Sequence, residues 1–96
     1  MATDIPVEEE AVQSDETAVR AEIKRIVSLI SRIDIEELKD DVLIREELGV
    51  DSLMAMEIVA RCEKALGIHI DEAKLFDVQT VGDFVALIQS LLELKS

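Results

Sequence analysis

Hydrophobic residues recur at the spacing of a helix face in three separate stretches of this chain. In the first, residues 16–33, apolar positions return every three or four residues, as one side of an α-helix requires. The second begins at Asp51 or Ser52 and ends near Leu66, and the third begins at Thr80. The apolar stripes are Val19, Ile23, Ile26, Val27, Ile30 and Ile33; Ala55, Ile58, Val59, Cys62 and Leu66; and Val81, Phe84, Val85, Ile88, Leu91 and Leu92. The pattern therefore predicts three long amphipathic helices.

The segments between these helices carry loop and turn signals. Residues 34–49 mix acidic side chains with irregularly spaced apolar ones, which predicts a long loop held against the helices rather than a free linker. Gly67 favours the left-handed conformation that ends many helices. A short helical turn is expected over residues 72–76. Together these features predict an all-α bundle of three long helices plus one short helix, with a long loop between the first two helices.

The start of the chain differs in composition from the rest. Residues 1–15 hold the only proline, Pro6, and the acidic run Glu8-Glu9-Glu10, with few apolar residues. Such a composition is typical of segments that cannot bury enough apolar surface to fold. We therefore expect a disordered acidic tail over residues 1–15 and one helical domain over residues 16–96.

Charge and cysteine content narrow the range of functions. The 96 residues include 22 acidic and 10 basic side chains, a formal net charge of −12. A surface of this charge repels nucleic acid phosphates and anionic membranes, and it attracts basic partners. The single cysteine, Cys62, excludes an intramolecular disulfide, and no apolar run has the length of a transmembrane helix. We expect a cytoplasmic monomer without nucleic acid binding or stable membrane association.

The start of the second helix carries the candidate chemistry. Ser52 lies at the helix N-terminus, where its hydroxyl is expected to face solvent and where free amides and the helix dipole favour an attached phosphate. Leu53 and Met56 lie away from the core stripe, which indicates a contact surface for another molecule. In the alternative interpretation, Ser52 is only the N-cap, and Leu53 and Met56 contact the long loop.

No pattern of catalytic or metal-binding residues accompanies this serine. The only histidine, His69, falls in a different segment, so no Ser-His-acid relay is visible. The acidic residues before the second helix lack the ligand spacing of an EF-hand. Cys62 falls on the apolar stripe and is expected to be a small buried hydrophobe. We therefore expect no catalytic residue, no metal site and no enzymatic activity.

The stretch Leu48-Gly49-Val50-Asp51-Ser52-Leu53, followed by an amphipathic helix, resembles the attachment motif of acyl carrier proteins. The similarity covers residues 19–92, including the long loop and Gly67. It implies that a separate phosphopantetheinyl transferase attaches 4′-phosphopantetheine from coenzyme A to Ser52, and that the thiol of this arm holds acyl groups as thioesters. It also implies docking of an acyltransferase, a ketosynthase or other acyl-processing enzymes of fatty acid, polyketide or related biosynthesis. The docking residues would be Asp51, Leu53, Met54, Met56, Glu57 and Ala60.

Charge on the second helix departs from that of housekeeping fatty acid carriers. Those carriers usually have an acidic residue where this chain has Met54, and here Arg61 and Lys64 also interrupt the acidity. Residues 51–66 contain three acids and two bases, whereas residues 34–50 contain seven acids and two bases. The departure favours a carrier of polyketide or other specialised biosynthesis. A peptidyl or aminoacyl carrier using the same serine, and an unmodified acidic helical adaptor, are the alternatives.

Overall fold

Helices account for most of the chain between residues 15 and 95, the part that the computed structural model describes. In that range lie α1 (Asp15–Ser31), α2 (Ser52–Leu66), the short α3 (Glu72–Leu75) and α4 (Val81–Lys95), with a 3-10 turn at Ile35–Glu37. This confirms the predicted bundle of three long helices and one short helix. The predicted acidic tail lies outside the described residues, except for Asp15, which begins α1.

The core forms where the apolar faces of the three long helices meet. Ile23 and Val27 of α1, Cys62 of α2, and Val85 and Ile88 of α4 are almost completely buried. All five belong to the stripes predicted from the sequence. Because isolated helices of this length are marginal in water, burial of these side chains rather than helix propensity stabilises the bundle.

The long loop between α1 and α2 is anchored by its apolar side chains. Leu38, Leu48 and Val50 are buried in the same core, as expected for a loop held against the helices. Ile35, by contrast, has 41% of its surface exposed. The anchors hold the loop in its first half and again at its end, just before α2.

The loop also pairs with the segment that begins α4. Leu43 and Thr80 form an isolated antiparallel β-bridge, and the Val81 N–H donates to the Val42 carbonyl at 3.0 Å. This pairing was not predicted, because a single bridge leaves no alternating pattern in the sequence.

Asp40 connects the loop to both α1 and α4. Its carboxylate pairs with Arg20 and, at 3.6 Å, with Lys24, and its carbonyl accepts from the Gly82 N–H at 2.9 Å. A Cβ at position 82 would lie 3.0 Å from that carbonyl oxygen. The loop can approach α4 this closely because residue 82 has no side chain.

Helix α1 ends two residues earlier than predicted. Arg32 adopts a left-handed conformation with φ of 65°, and its N–H donates to the Ser28 carbonyl at 2.8 Å. The Ser28 hydroxyl donates to the Ile33 carbonyl at 2.6 Å, which holds the chain as it turns away. Ile33 continues the apolar stripe in sequence, but no glycine marks this helix end, so the pattern alone extends the helix too far.

The ends of α2 and α4 follow their sequence signals. Gly67 has φ of 66° and stops α2 in the left-handed conformation, as predicted. Thr80 caps α4: its hydroxyl accepts from the Asp83 N–H at 3.0 Å, and the Asp83 carboxylate accepts from the Thr80 N–H at 3.1 Å. This reciprocal pair is the capping box expected from the two residues. The helix proper therefore begins at Val81, one residue after the predicted start.

Candidate functional site on helix α2

Ser52 is the first residue of α2, and its side chain is exposed. The residue before it, Asp51, is the N-cap: its carboxylate accepts from the Met54 N–H at 2.8 Å, and its carbonyl accepts from the Ala55 N–H at 2.9 Å. The structure thus assigns the capping role to Asp51 rather than to Ser52. The Ser52 hydroxyl makes no hydrogen bond with any residue in the described range.

The backbone that presents Ser52 is firmly placed. Leu48 and Val50 are buried on either side of Gly49, and the Val50 N–H donates to the Ile44 carbonyl at 3.3 Å. Gly49 has φ of 72°, a conformation that favours glycine. An exposed hydroxyl therefore lies two residues after the buried Val50, so Ser52 is accessible without being on a loose loop.

The first turn of α2 is suited to an anionic substituent. Neither the Ser52 nor the Leu53 N–H has a hydrogen-bond partner among residues 15–95, because Asp51 takes only the next two amides. Unpaired amides and the positive end of the helix dipole both favour negative charge. A phosphate esterified to Ser52 would thus meet free donors at its attachment point.

Apolar side chains lie exposed beside Ser52. Leu53 has 79% and Met56 47% of its surface exposed, so neither is covered by the long loop. Glu57 and Ala60 are also exposed. Met54 is only half exposed and packs against the core, which leaves it less surface for another molecule.

One acidic residue of α2 serves the fold rather than the exposed face. Glu63 is half-buried: its carboxylate accepts from the Ile70 N–H at 2.8 Å and lies 3.5 Å from His69 Nδ1. It thereby holds the segment that follows Gly67. No pattern in the sequence predicts this hydrogen bond, because it spans a helix end at a spacing of seven residues.

The other candidate groups lie away from the Ser52 hydroxyl. Burial, followed by the nearby carboxylates of Glu22 and Glu63, raises the pKa of the Cys62 thiol to about 12, so the thiol stays protonated at neutral pH. His69 is exposed and faces Glu63. Within the described range there is no group of side chains that could hold a metal ion and no helix long and apolar enough to cross a membrane.

Comparison with known proteins gives matches over most of the chain. Residues 21–88, which include Ser52, match the family model described as a phosphopantetheine attachment site. Polyketide-8 synthase acyl carrier protein 2 of Streptomyces avermitilis is 34% identical over 73 residues, which cover 76% of this chain and 84% of that protein. The acyl carrier protein of Thermotoga maritima is 31% identical over 72 residues, covering 75% and 89% of the two chains.

Two further matches are a short part of a much longer synthase and a solved structure with the same fold. A non-reducing polyketide synthase of Emericella nidulans is 33% identical over 78 residues, but the matched part is only 3% of that synthase. A solved structure of a candidate acyl carrier protein from Mycobacterium tuberculosis superposes with a TM-score of 0.70 at 22% identity, covering 75% of this chain and 96% of that one. This likeness shows the same helical fold.

Proposed function

The chain belongs to the acyl carrier protein family, which is defined by a phosphopantetheine attachment site, and from this membership we propose that Ser52 carries the arm. Proteins of this family are carriers rather than catalysts, and their cofactor is 4′-phosphopantetheine. The chain therefore has an acyl carrier role, in which acyl groups are held as thioesters on the thiol of the arm. The assignment of Ser52 is supported above all by its free, exposed hydroxyl beside a separate helix cap.

Modification at Ser52 needs only a reachable oxygen on this chain. The Ser52 Oγ–phosphorus bond forms as the pyrophosphate bond of coenzyme A breaks, adenosine 3′,5′-bisphosphate leaves, and the transferase accepts the serine proton. Because no described residue activates the hydroxyl, the base must come from the transferase. The new phosphate would lie next to the free N–H groups of Ser52 and Leu53.

Intact mass measurement tests the assignment. After incubation with coenzyme A and a broad-specificity phosphopantetheinyl transferase, we expect the wild-type chain to gain the mass of one phosphopantetheine. Ser52→Ala should gain none. Ser90→Ala, which changes another exposed serine far along α4, should be modified like the wild type. Modification of Ser52→Ala, or none of the wild type, would refute the assignment.

The exposed start of α2 is proposed as the docking surface for partner enzymes. Leu53 and Met56 offer most of the apolar area, and Glu57 and Ala60 border it. Asp51 and Met54 contribute less to this surface. The Asp51 carboxylate caps the helix, and the Met54 side chain packs against the core. In the same transfer assay, Leu53→Ala should be modified more slowly than Ser90→Ala. Equal rates would exclude Leu53 from the contact with the transferase.

A polyketide or other specialised pathway is proposed for this carrier. The proposal is supported by the polyketide relative and by Met54, Arg61 and Lys64 on the docking helix. The partners would then be an acyltransferase and a ketosynthase of that pathway, with the chain a cytoplasmic monomer that catalyses nothing itself. The pathway assignment would be contradicted if housekeeping fatty acid enzymes loaded the modified chain efficiently and polyketide enzymes did not.

A further inference from the structure

The exposed face of α2 has a charge opposite in sign to that of the whole chain. Its exposed charged side chains are Glu57, Arg61 and Lys64, because Glu63 turns toward the Ile70 N–H. Two cations and one anion therefore face outward on a helix of a protein whose net charge is −12.

Among the residues that the structure describes, the two cations have no partner. Neither Arg61 nor Lys64 forms an ion pair or a side-chain hydrogen bond with any residue from 15 to 95. Lys64 has no acidic residue three or four positions away in either direction, so the helix offers it no partner. Glu57 stands four positions before Arg61, yet the two side chains are not paired. Both cations are available to another molecule.

The position of Lys64, unlike that of Arg61, places it beneath an enzyme that docks on α2 beside Ser52: Arg61 lies about 140° around the helix axis from Met56. On a helix with 3.6 residues per turn, Lys64 lies only about 20° around the axis from Leu53 and about 16 Å further along it. A standard protein interface covers about 800 Å² on each partner, which corresponds to a radius of about 16 Å. A partner centred on Met56 would therefore cover Lys64 as well as Leu53.

We propose that the phosphopantetheinyl transferase docks on α2 through a surface of mixed charge, with a carboxylate placed opposite Lys64. This inference rests on the proposed attachment at Ser52. Covering an unpaired cation costs free energy unless the partner supplies an opposite charge. Glu57 lies near Ser52 and the cations lie toward the other end of α2, so the charge changes sign along the helix axis. A surface with complementary charges therefore favours one docking orientation.

Charge reversal at matched lysines tests the inference. We compare kcat/KM for modification by a broad-specificity phosphopantetheinyl transferase between Lys64→Glu and Lys39→Glu. Both lysines are exposed, neither is in an ion pair within the described residues, and both changes shift the net charge equally. Lys39 lies in the long loop rather than on α2. We expect Lys64→Glu to be about five- to tenfold slower than Lys39→Glu at low salt, with the difference shrinking as salt rises.

The relative rates of Lys64→Glu and Lys39→Glu show whether Lys64 lies in the contact with the transferase. Equal rates for the two lysine variants would show that Lys64 stays outside the contact and would overturn the inference. A faster Lys64→Glu would also overturn it, because a uniformly basic transferase surface is repelled by Lys64 and gains from its reversal. Failure of the proposed function looks different, since the wild type would then gain no mass or Ser52→Ala would still gain it. Circular dichroism of each variant confirms that the exposed substitutions leave the bundle folded.

Discussion

At the scale of single residues, Asp51 caps α2 and leaves the Ser52 hydroxyl available for modification. Its carboxylate binds the Met54 N–H, so the Ser52 oxygen is not needed to satisfy the first turn. Had Ser52 been the cap, converting its hydroxyl to an ester would weaken a contact that contributes about 1 kcal/mol. Modification of Ser52 should therefore not remove the helix cap.

Cys62 is expected to be inert in the folded chain. Its side chain is completely buried, and a pKa of about 12, against 9.0 for a free thiol, lowers the thiolate fraction about a thousandfold. In apo protein at pH 8, the reaction of Cys62 with Ellman's reagent should be at least about a thousandfold slower than in urea. The apo form is required because the arm brings its own thiol. Rapid labelling of the native apo chain would contradict the buried, protonated state.

At the scale of elements, the capping box of α4 should make stability depend on pH. The Gln79 and Thr80 backbone N–H groups donate to Asp83 and lower the pKa of its carboxyl below the usual 3.8. A lowered folded-state pKa gives stability that is present above pH 3.8 and is lost as the pH falls through the folded value.

The variant Asp83→Asn tests this dependence. Its urea midpoint should lie below that of the wild type at pH 7, and the gap should narrow as the pH falls below 3.8. Asp41→Asn, at an exposed loop residue without a hydrogen bond among the described residues, serves as the control and should show a smaller gap. A gap that stays constant with pH would show that the Asp83 charge does not stabilise the cap.

The helices could be predicted from sequence because each one has a continuous apolar stripe. Their ends were predicted where a residue type carries the signal, as at Gly67 and Thr80. The end of α1 was not, because Arg32 adopts a left-handed conformation that its residue type does not predict. The exposure of Leu53 and Met56 could be predicted because both lie off the apolar stripe of α2. The choice of Asp51 over Ser52 as the N-cap could not be predicted, because both residue types are good caps.

At the scale of the whole molecule, contacts between distant segments escaped prediction. The Leu43–Thr80 bridge and the contacts of Asp40 with Arg20 and Gly82 join residues that are far apart in the chain. Short polar pairings of this kind leave no periodic signature in sequence. They nevertheless determine where the loop lies, and the end of that loop positions Ser52.

The Gly82→Ala variant tests how much the fold depends on this approach. Helix propensity alone predicts a gain of about 0.5–1 kcal/mol. A Cβ would, however, lie 3.0 Å from the Asp40 carbonyl oxygen and 3.1 Å from its Cβ, and overpacking of this kind costs about 1–3 kcal/mol. We therefore expect a net loss of about 1 kcal/mol in urea unfolding.

The control for Gly82→Ala is Ser90→Ala, which changes an exposed position of the same helix and should be neutral or slightly stabilising. Increased hydrogen exchange at the Ile44 amide, which donates to the Gln79 carbonyl, would locate the loss in the loop. A stabilised Gly82→Ala would show that the loop shifts without cost.

The hydrogen bond between Asp40 and Gly82 also has a consequence for folding during synthesis. Contacts between remote parts of a polypeptide form late, because the intervening chain must first be gathered in. On a ribosome, the loop before α2 would lack its contacts with Val81 and Gly82 until the start of α4 had emerged. We expect nascent chains shorter than this to be poor substrates for a transferase, so that attachment of phosphopantetheine to Ser52 awaits synthesis of the start of α4.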